Sequence, residues 1–165
     1  MGFECAKAIL DESADYHVVL ACRSLERSST AVDQLKTTRA TVEVMELDLA
    51  SFKSIRSFAD AFKVTSPHFI ANPPFKSRTD LPPLYAIVCN AGSQFITTYT
   101  ETADGIEATF GVNHLGHFLL VLLLAEKLTS PSRVLLVSSG THDPKEKTGM
   151  PHPIYESAEL LAHPK

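Results

Sequence analysis

The segment LYAIVCNAG, residues 84–92, decides the fold class. Six residues of largely apolar character without a polar alternation are typical of a strand buried on both faces of a parallel sheet. Asn90, Ala91 and Gly92 then mark the end of that strand. His17–Cys22 and Arg133–Val137 show the same kind of run, and Thr41–Leu47 alternates apolar and polar residues. The sequence therefore predicts four strands.

Helical patterns separate these strands. The predicted helices are Phe3–Leu10, Ser24–Leu35, a helix capped by Ser51 with Ile55, Phe58, Ala59 and Phe62 on one face, residues 102–128, and a short helix near Glu156–Ala162. The proline-rich residues 64–83 are predicted to form a long loop or insertion. Strands that alternate with helices predict an α/β fold, a Rossmann-like doubly wound parallel sheet covered on both faces.

Length and composition set limits on the function. A chain of 165 residues is the size of one domain, so we expect residues 1–165 to form a single unit. The net charge of −4 offers no basic surplus for nucleic acid. The longest apolar run, Phe118–Ala125, falls short of the ~18 residues that a membrane span needs, so we expect no transmembrane segment. Three scattered cysteines favour a reducing compartment, and hence the cytoplasm.

Polar residues follow each predicted strand. Arg23, Asp48, the Asn90–Gly92 turn and the Ser138–Gly140 turn stand at the four carboxyl ends, where open α/β sheets bind their ligands. Each has an ordinary explanation when taken alone, as a solvated loop residue, a turn or a helix cap. Together they predict a pocket that takes a phosphate, a ring with amide groups, and a hydroxyl or carbonyl group.

Three ordered motifs carry a family resemblance. VCNAG at 88–92, VNHLGHF at 112–118 and VLLVSS at 134–139 resemble the short-chain dehydrogenase/reductase family, and the segments 9–23 and 46–51 fit the same family. DGIEATFGVNHLGHF and SSGTHD are similar to the branch of retinol dehydrogenases, the WW-domain oxidoreductase and protochlorophyllide-reductase-like enzymes. The resemblance implies an oxidoreductase that interconverts an alcohol and a carbonyl of a small-molecule substrate by hydride transfer.

The resemblance also implies a cofactor. Asp48 would meet the adenine through its carboxylate and Leu49 through its backbone. Arg23 stands where the family selects its cofactor, and a guanidinium there can pair with a 2′-phosphate in fork geometry. NADP is therefore favoured over NAD.

Small residues at two further positions are implied to approach the nucleotide. Asn90, Ala91 and Gly92 would line it, since small side chains permit a close backbone approach. Gly2 matches the last glycine of the family's glycine-rich turn, TGxxxGIG, whose other glycines are not found in the printed sequence.

Ser139 and Asn113 match catalytic positions of the family. Ser139 would hydrogen-bond the substrate oxygen. Asn113 would sit at a distortion of its helix and hold a proton-relaying water, or else serve as a satisfied structural amide. His114 and His117 lie three residues apart, but no third ligand at useful spacing accompanies them, so we predict no metal site. The leucine-rich helix 112–128 is covered by sheet and a neighbouring helix, or forms a homodimer interface.

The family's YxxxK pair has no match in the printed sequence. Tyr155 is followed four residues later by Glu159, and a carboxylate opposes ionisation of a phenol, so Tyr155 is not assigned as the acid. We therefore expect an incomplete domain that lacks the family's first strand and C-terminal part, and that binds cofactor poorly without turnover. The alternative is a catalytically inactive Rossmann-like interaction module.

Overall fold

The computed structural model describes residues 1–13, 16–35, 41–63, 84–95, 98–143, 145–147, 149 and 154–164. Its helices are α1 (Gly2–Glu12), α2 (Leu25–Leu35), α3 (Phe52–Lys63), α4 (Ala108–Phe110), α5 (His117–Leu124) and α6 (Ala158–Ala162). A π-helical segment, Gly111–Gly116, joins α4 to α5, and 3-10 turns span Ala125–Lys127 and Gly140–His142. The strands are β1 (His17–Cys22), β2 (Thr41–Glu46), β3 (Leu84–Cys89) and β4 (Leu128–Leu136). The predicted α/β class is confirmed, while the predicted loop 64–83 lies outside the described residues.

All strand pairing is parallel in the part of the chain that the structure describes. β1 pairs with β2, from His17 opposite Thr41 to Cys22 opposite Glu46. β3 pairs with β4, and Cys89 lies opposite Leu136. The four strands form two two-stranded sheets, because no described strand is hydrogen-bonded between β1 and β3. In the strand order that the family resemblance implies, the family's first strand lies between the strands that end before Arg23 and before Asn90, which are β1 and β3.

Helices cover both faces of the β1–β2 sheet. Val18 and Leu20 pack against the cluster formed by α1 and α2, whereas Val19 packs against the larger cluster with α3 and α5. Successive side chains of a strand point to opposite faces, so the two helix pairs lie on opposite sides. This layering confirms the doubly wound arrangement.

The larger cluster joins the two sheets. Its buried members are Met45, Leu47, Leu49, Ile55, Phe58, Ala59, Ile87, Cys89, Leu120 and Leu124. Residues from β2 and β3 thus pack on the same pair of helices. One hydrophobic core holds together strands that share no hydrogen bond.

Two side chains cap the start of α3, the predicted Ser51 and a residue far along the chain, Asp104. Ser51 Oγ accepts a hydrogen bond from Ser54 N at 3.3 Å, as the sequence predicts. Asp104 Oδ2 also accepts one from Phe52 N at 2.7 Å. A carboxylate at a helix N-terminus accepts a hydrogen bond from a free backbone N–H, and its negative charge interacts favourably with the positive end of the helix dipole. The loop that carries Asp104 is thereby attached to α3.

The prediction that residues 102–128 are helical throughout is wrong at its first turn. Thr102 Oγ1 accepts hydrogen bonds from the backbone of Asp104 and Ile106, and Gly105 has φ of 74°, so this segment forms a turn. Helix α4 begins after Glu107, whose two carboxylate oxygens accept from the N–H groups of Thr109 and Phe110.

Strand β4 also differs from its prediction. It begins at Leu128 rather than Arg133, with an irregularity in the pairing between Leu84 and Ala86 of β3. The side chains from Val134 to Val137 are exposed, so this end of β4 is not covered as a doubly wound sheet would require.

The continuous helical stretch Ala108–Lys127, 20 residues, is long and apolar enough to cross a membrane by length and composition. The same properties are found in core helices of soluble proteins. Leu120 and Leu124 of this stretch are buried in the cluster with α3, as in a core helix.

Candidate functional site

The carboxyl ends of neighbouring strands lie side by side. Leu47 N donates to Cys22 O at 3.0 Å, so Arg23 and Asp48 follow adjacent ends of β1 and β2. Val137 N likewise donates to Cys89 O at 3.0 Å, so Asn90 follows the end of β3 beside the segment that leads to Ser139. Each parallel sheet thus brings two of the predicted residues to the same edge.

One turn of helix connects the two edges. The Cα of Gly116 is so close to the end of β2 that an added Cβ would lie 2.7 Å from Leu49 O. The next residue, His117, places its Nε2 2.8 Å from Ala91 O at the end of β3. The ends of β2 and β3 therefore meet on the same side of the molecule, against one point of the helix.

Gly2 lies at the same edge. A Cβ added to Gly2 would be 2.8 Å from the Asn90 amide nitrogen, so a side chain at position 2 would displace Asn90. The structure thus brings Gly2, Leu49, Asn90 and Ala91 together, as a dinucleotide site at this edge requires. Their roles in binding stay predictions.

Asp48 is held by its own loop. Its backbone N donates to Ser54 Oγ at 2.9 Å, and its Oδ1 accepts from Ala50 N at 2.9 Å. Among the described residues Oδ2 has no hydrogen-bond partner. The Asp48 carboxylate is therefore fixed in orientation through one of its oxygens. Leu49 is 8% exposed, so its side chain is buried, and the binding roles of both residues stay predictions.

A cleft of about 270 Å³ lies beside Arg23. It is lined by Cys22, Arg23, Ser24, Arg27, Ser28 and Ala31. Ser24 caps α2, with its Oγ 3.4 Å from Arg27 N. Within the described ranges neither guanidinium forms an ion pair with a carboxylate. Two arginines at the N-terminus of an 11-residue helix make this cleft suited to a phosphate group.

Arg27 was missed by the sequence analysis. The signal available was its place in the first turn of the predicted helix, four residues after Arg23, so that two cations stand at the N-terminal end of this helix. A lone arginine at a strand end and a second one on the next helix are easily passed over as surface charge.

Asn113 lies in the π-helical segment, so the helix is distorted at the place where the resemblance implies it. Its Oδ1 accepts from Ser93 N at 2.7 Å, and its Nδ2 donates to Ser93 O at 2.8 Å. Both ends of the amide are thus bonded to one backbone residue. This geometry suits the structural alternative, and the proton-relay role stays a prediction.

Ser139 is exposed at the end of the β4 edge. Its Oγ accepts from Thr141 N at 3.3 Å and lies 3.1 Å from Thr141 Oγ1, so it caps the 3-10 turn that follows. Tyr155 is 73% exposed. The Ser139 hydroxyl thus lies at the surface of this edge, and its catalytic role stays a prediction.

The two histidines have different surroundings. His114 stacks between Phe110 and Phe118, with ring centroids 5.3 and 6.3 Å away, whereas His117 is buried against Ala91. Over the described ranges no group of three or more His, Cys, Asp or Glu side chains is placed to hold a metal ion.

Several curated proteins are similar to this chain, two of them human. The human WW domain-containing oxidoreductase is 42% identical over 146 residues, which cover 86% of this chain and 31% of that protein. Human retinol dehydrogenase 11 is 39% identical over 146 residues, covering 86% of this chain and 40% of that protein. The chain therefore spans about a third of the length of these relatives. No family model matches it.

The fold has counterparts among solved structures. A Serratia marcescens short-chain dehydrogenase/reductase mutant superimposes with a TM-score of 0.53 at 19% identity, over 81% of this chain and 48% of that one. At this identity the likeness shows the fold alone. The sequence relatives confirm the resemblance to the short-chain dehydrogenase/reductase family that the motifs indicate, and the solved structures confirm the fold.

Proposed function

We propose that residues 1–165 form the dinucleotide-binding unit of an NADP-dependent short-chain dehydrogenase/reductase that interconverts an alcohol and a carbonyl of a small-molecule substrate. Bound NADPH supplies the hydride in such a reaction. The observation that carries this proposal is the cleft with Arg23 and Arg27 beside the oriented carboxylate of Asp48, on the edge that also holds Gly2 and Asn90.

In this proposal each residue at this edge contacts a different part of the cofactor or the substrate. The two guanidinium groups bind the 2′-phosphate, since planar paired donors match phosphate oxygens. Asp48 accepts from the adenine through its open Oδ2. Ala91 and Gly92 let the nucleotide approach the backbone. Ser139 hydrogen-bonds the substrate oxygen.

The proposal expects weak cofactor binding without turnover in these 165 residues. Tyr155 is exposed and has Glu159 rather than a lysine four residues on, so nothing here assigns it as the acid. Three free cysteines support a reducing compartment, and we place the chain in the cytoplasm.

Cofactor titration tests the proposal. Nicotinamide fluorescence would be followed as the 165-residue chain is added to NADPH and, separately, to NADH. Arg27→Ala and Arg23→Ala should weaken NADPH binding about tenfold or more, because a charge-assisted hydrogen bond contributes roughly 1.5–3 kcal/mol. NADH binding should stay within about twofold, since it has no 2′-phosphate to lose.

Arg56→Ala is the matched control, because it removes the same charge from an exposed position of α3. It should leave both affinities unchanged. Equal losses of NADPH and NADH in the cleft variants would contradict the assignment of the 2′-phosphate. Turnover of an alcohol or ketone by the chain would contradict the expected inactivity.

A second function, as an inactive interaction module, is supported by one observation. Phe118 and Leu122 lie four residues apart on α5 and are each 57% exposed. Apolar side chains of this size on one helix face suit a homodimer. Sedimentation velocity of the chain and of a Phe118→Ser, Leu122→Ser double variant tests this function, which requires a dimer that the variant loses.

A further inference from the structure

His117 is a buried polar residue whose position calls for an explanation. Its side chain is 7% exposed, and its Nε2 lies 2.8 Å from Ala91 O. A carbonyl oxygen only accepts, so Nε2 carries a proton and donates it to Ala91 O. Nδ1 is buried and has no hydrogen-bond partner within the described ranges. The buried imidazole on the apolar helix α5 thus forms one hydrogen bond among the described residues, to the backbone carbonyl of Ala91.

That hydrogen bond sets the orientation of the peptide between Ala91 and Gly92. The peptide is trans, so its C=O and its N–H point in opposite directions. Because the Ala91 carbonyl faces α5, the N–H of Gly92 points away from α5. Among the described residues this N–H has no acceptor.

The next peptide groups are occupied by Asn113. Both Ser93 N and Ser93 O are bonded to its amide, at 2.7 and 2.8 Å. Asn113 and His117 thus hold Ala91–Ser93 by three hydrogen bonds from one side. The Gly92 N–H points away from α5, two residues after Asn90, whose side-chain amide lies against Gly2.

We infer that His117 is a positioning residue that turns the Ala91–Gly92 peptide so that the Gly92 N–H donates to an oxygen of the bound dinucleotide, on its ribose or its phosphates. This inference rests on the proposed cofactor function. His117 acts through the peptide and does not itself reach the ligand. Its place is fixed because Gly116, the preceding residue, is packed against Leu49 O.

Nitrogen NMR of the wild-type chain tests the first step without any substitution. In uniformly 15N-labelled protein, the imidazole shifts of His117 should show a proton on Nε2. The Gly92 amide signal should move downfield when NADPH is added, as expected for an N–H that gains an acceptor. A ring without a proton on Nε2, or a Gly92 signal unmoved at saturating NADPH, would overturn the inference.

Two variants test the second step. His117→Phe keeps an aromatic ring and removes the donor, so NADPH affinity should fall about tenfold and the shift of Gly92 should be lost. His117→Gln keeps an N–H that can donate to Ala91 O, and should return affinity to within about threefold of the wild type. His114→Phe, at the exposed stacked histidine, is the matched control and should stay within about twofold.

The outcomes separate this inference from the function on which it rests. Failure of the wild-type chain to bind NADPH would refute the proposed function. The protonation of His117 Nε2 would still test whether the Ala91–Gly92 peptide has the inferred orientation. NADPH binding that is as tight in His117→Phe as in the wild type would refute the inference and leave the function standing. If His117→Gln binds NADPH as weakly as a folded His117→Phe, the hydrogen bond to Ala91 O does not determine NADPH affinity, and the inference fails.

Discussion

The substitution Gly116→Ala tests the contact that joins the helix to the end of β2. At an unobstructed helix position this change stabilises a protein by about 0.5–1 kcal/mol. Here the new Cβ would lie 2.7 Å from Leu49 O, 3.1 Å from Leu49 Cβ and 3.2 Å from Gly111 O. Backbone atoms cannot rotate aside as a side chain can, and such overpacking costs about 1–3 kcal/mol. The middle of each range leaves a net loss of about 1 kcal/mol in the free energy of unfolding.

Urea unfolding followed by far-ultraviolet circular dichroism measures this loss as a lower midpoint at unchanged slope. The matched control is Gly140→Ala, whose Cβ would meet Glu146 Cγ at 3.8 Å, an ordinary contact. It should change the free energy of unfolding by less than about 0.5 kcal/mol. A Gly116→Ala chain as stable as the wild type, or more so, would refute the close approach of helix and strand end.

Further substitutions and a labelling experiment test other contacts. Asp104→Ala removes the carboxylate that accepts from Phe52 N, and should lower the free energy of unfolding by about 1 kcal/mol in thermal melts; an unchanged melt would show that the loop does not cap α3. Glu107→Ala removes two hydrogen bonds at the start of α4 and should cost about 1–2 kcal/mol, with Glu107→Gln closer to the wild type. Burial raises the pKa of the Cys89 thiol, so a smaller fraction is thiolate at any pH below that pKa. In an iodoacetamide pulse at pH 8 read by mass spectrometry, exposed Cys5 should be alkylated first and Cys89 last; equal rates would contradict the burial of Cys89.

Local patterns were sufficient for most of the fold. The strands β1 and β3 begin and end at the predicted residues, because an apolar run bounded by polar residues leaves little freedom in where a buried strand starts. Ser51 caps α3 as predicted, and Ile55, Phe58 and Ala59 are buried on its inner face. These features depend on residues within a few positions of each other.

The features that were missed depend on residues far apart in the chain. Asp104 caps α3, a helix that starts 52 residues earlier in the chain. Because Asp104 makes this contact and Gly105 has a positive φ, residues 102–106 form a turn rather than the first turn of the predicted helix. The close approach of Gly116 to Leu49 cannot be read from either segment by itself.

The candidate site shows the same division. Residues at strand ends were found, since the carboxyl edge of a parallel sheet follows from the strand order. Arg27 and His117 were missed as site residues because each acts from a helix, and their usefulness appears only once the helix is placed beside the strand end.

The two sheets share no hydrogen bond among the described residues, but they share one hydrophobic core, which opposes independent unfolding. Residues from β2 and β3 are buried in one cluster with α3 and α5, so neither sheet can leave without exposing apolar surface of the other. Unfolding should therefore be a single cooperative transition. A substitution that loosens the packing of α3 and α5 should therefore destabilise the carboxyl ends of both sheets together, rather than those of one sheet.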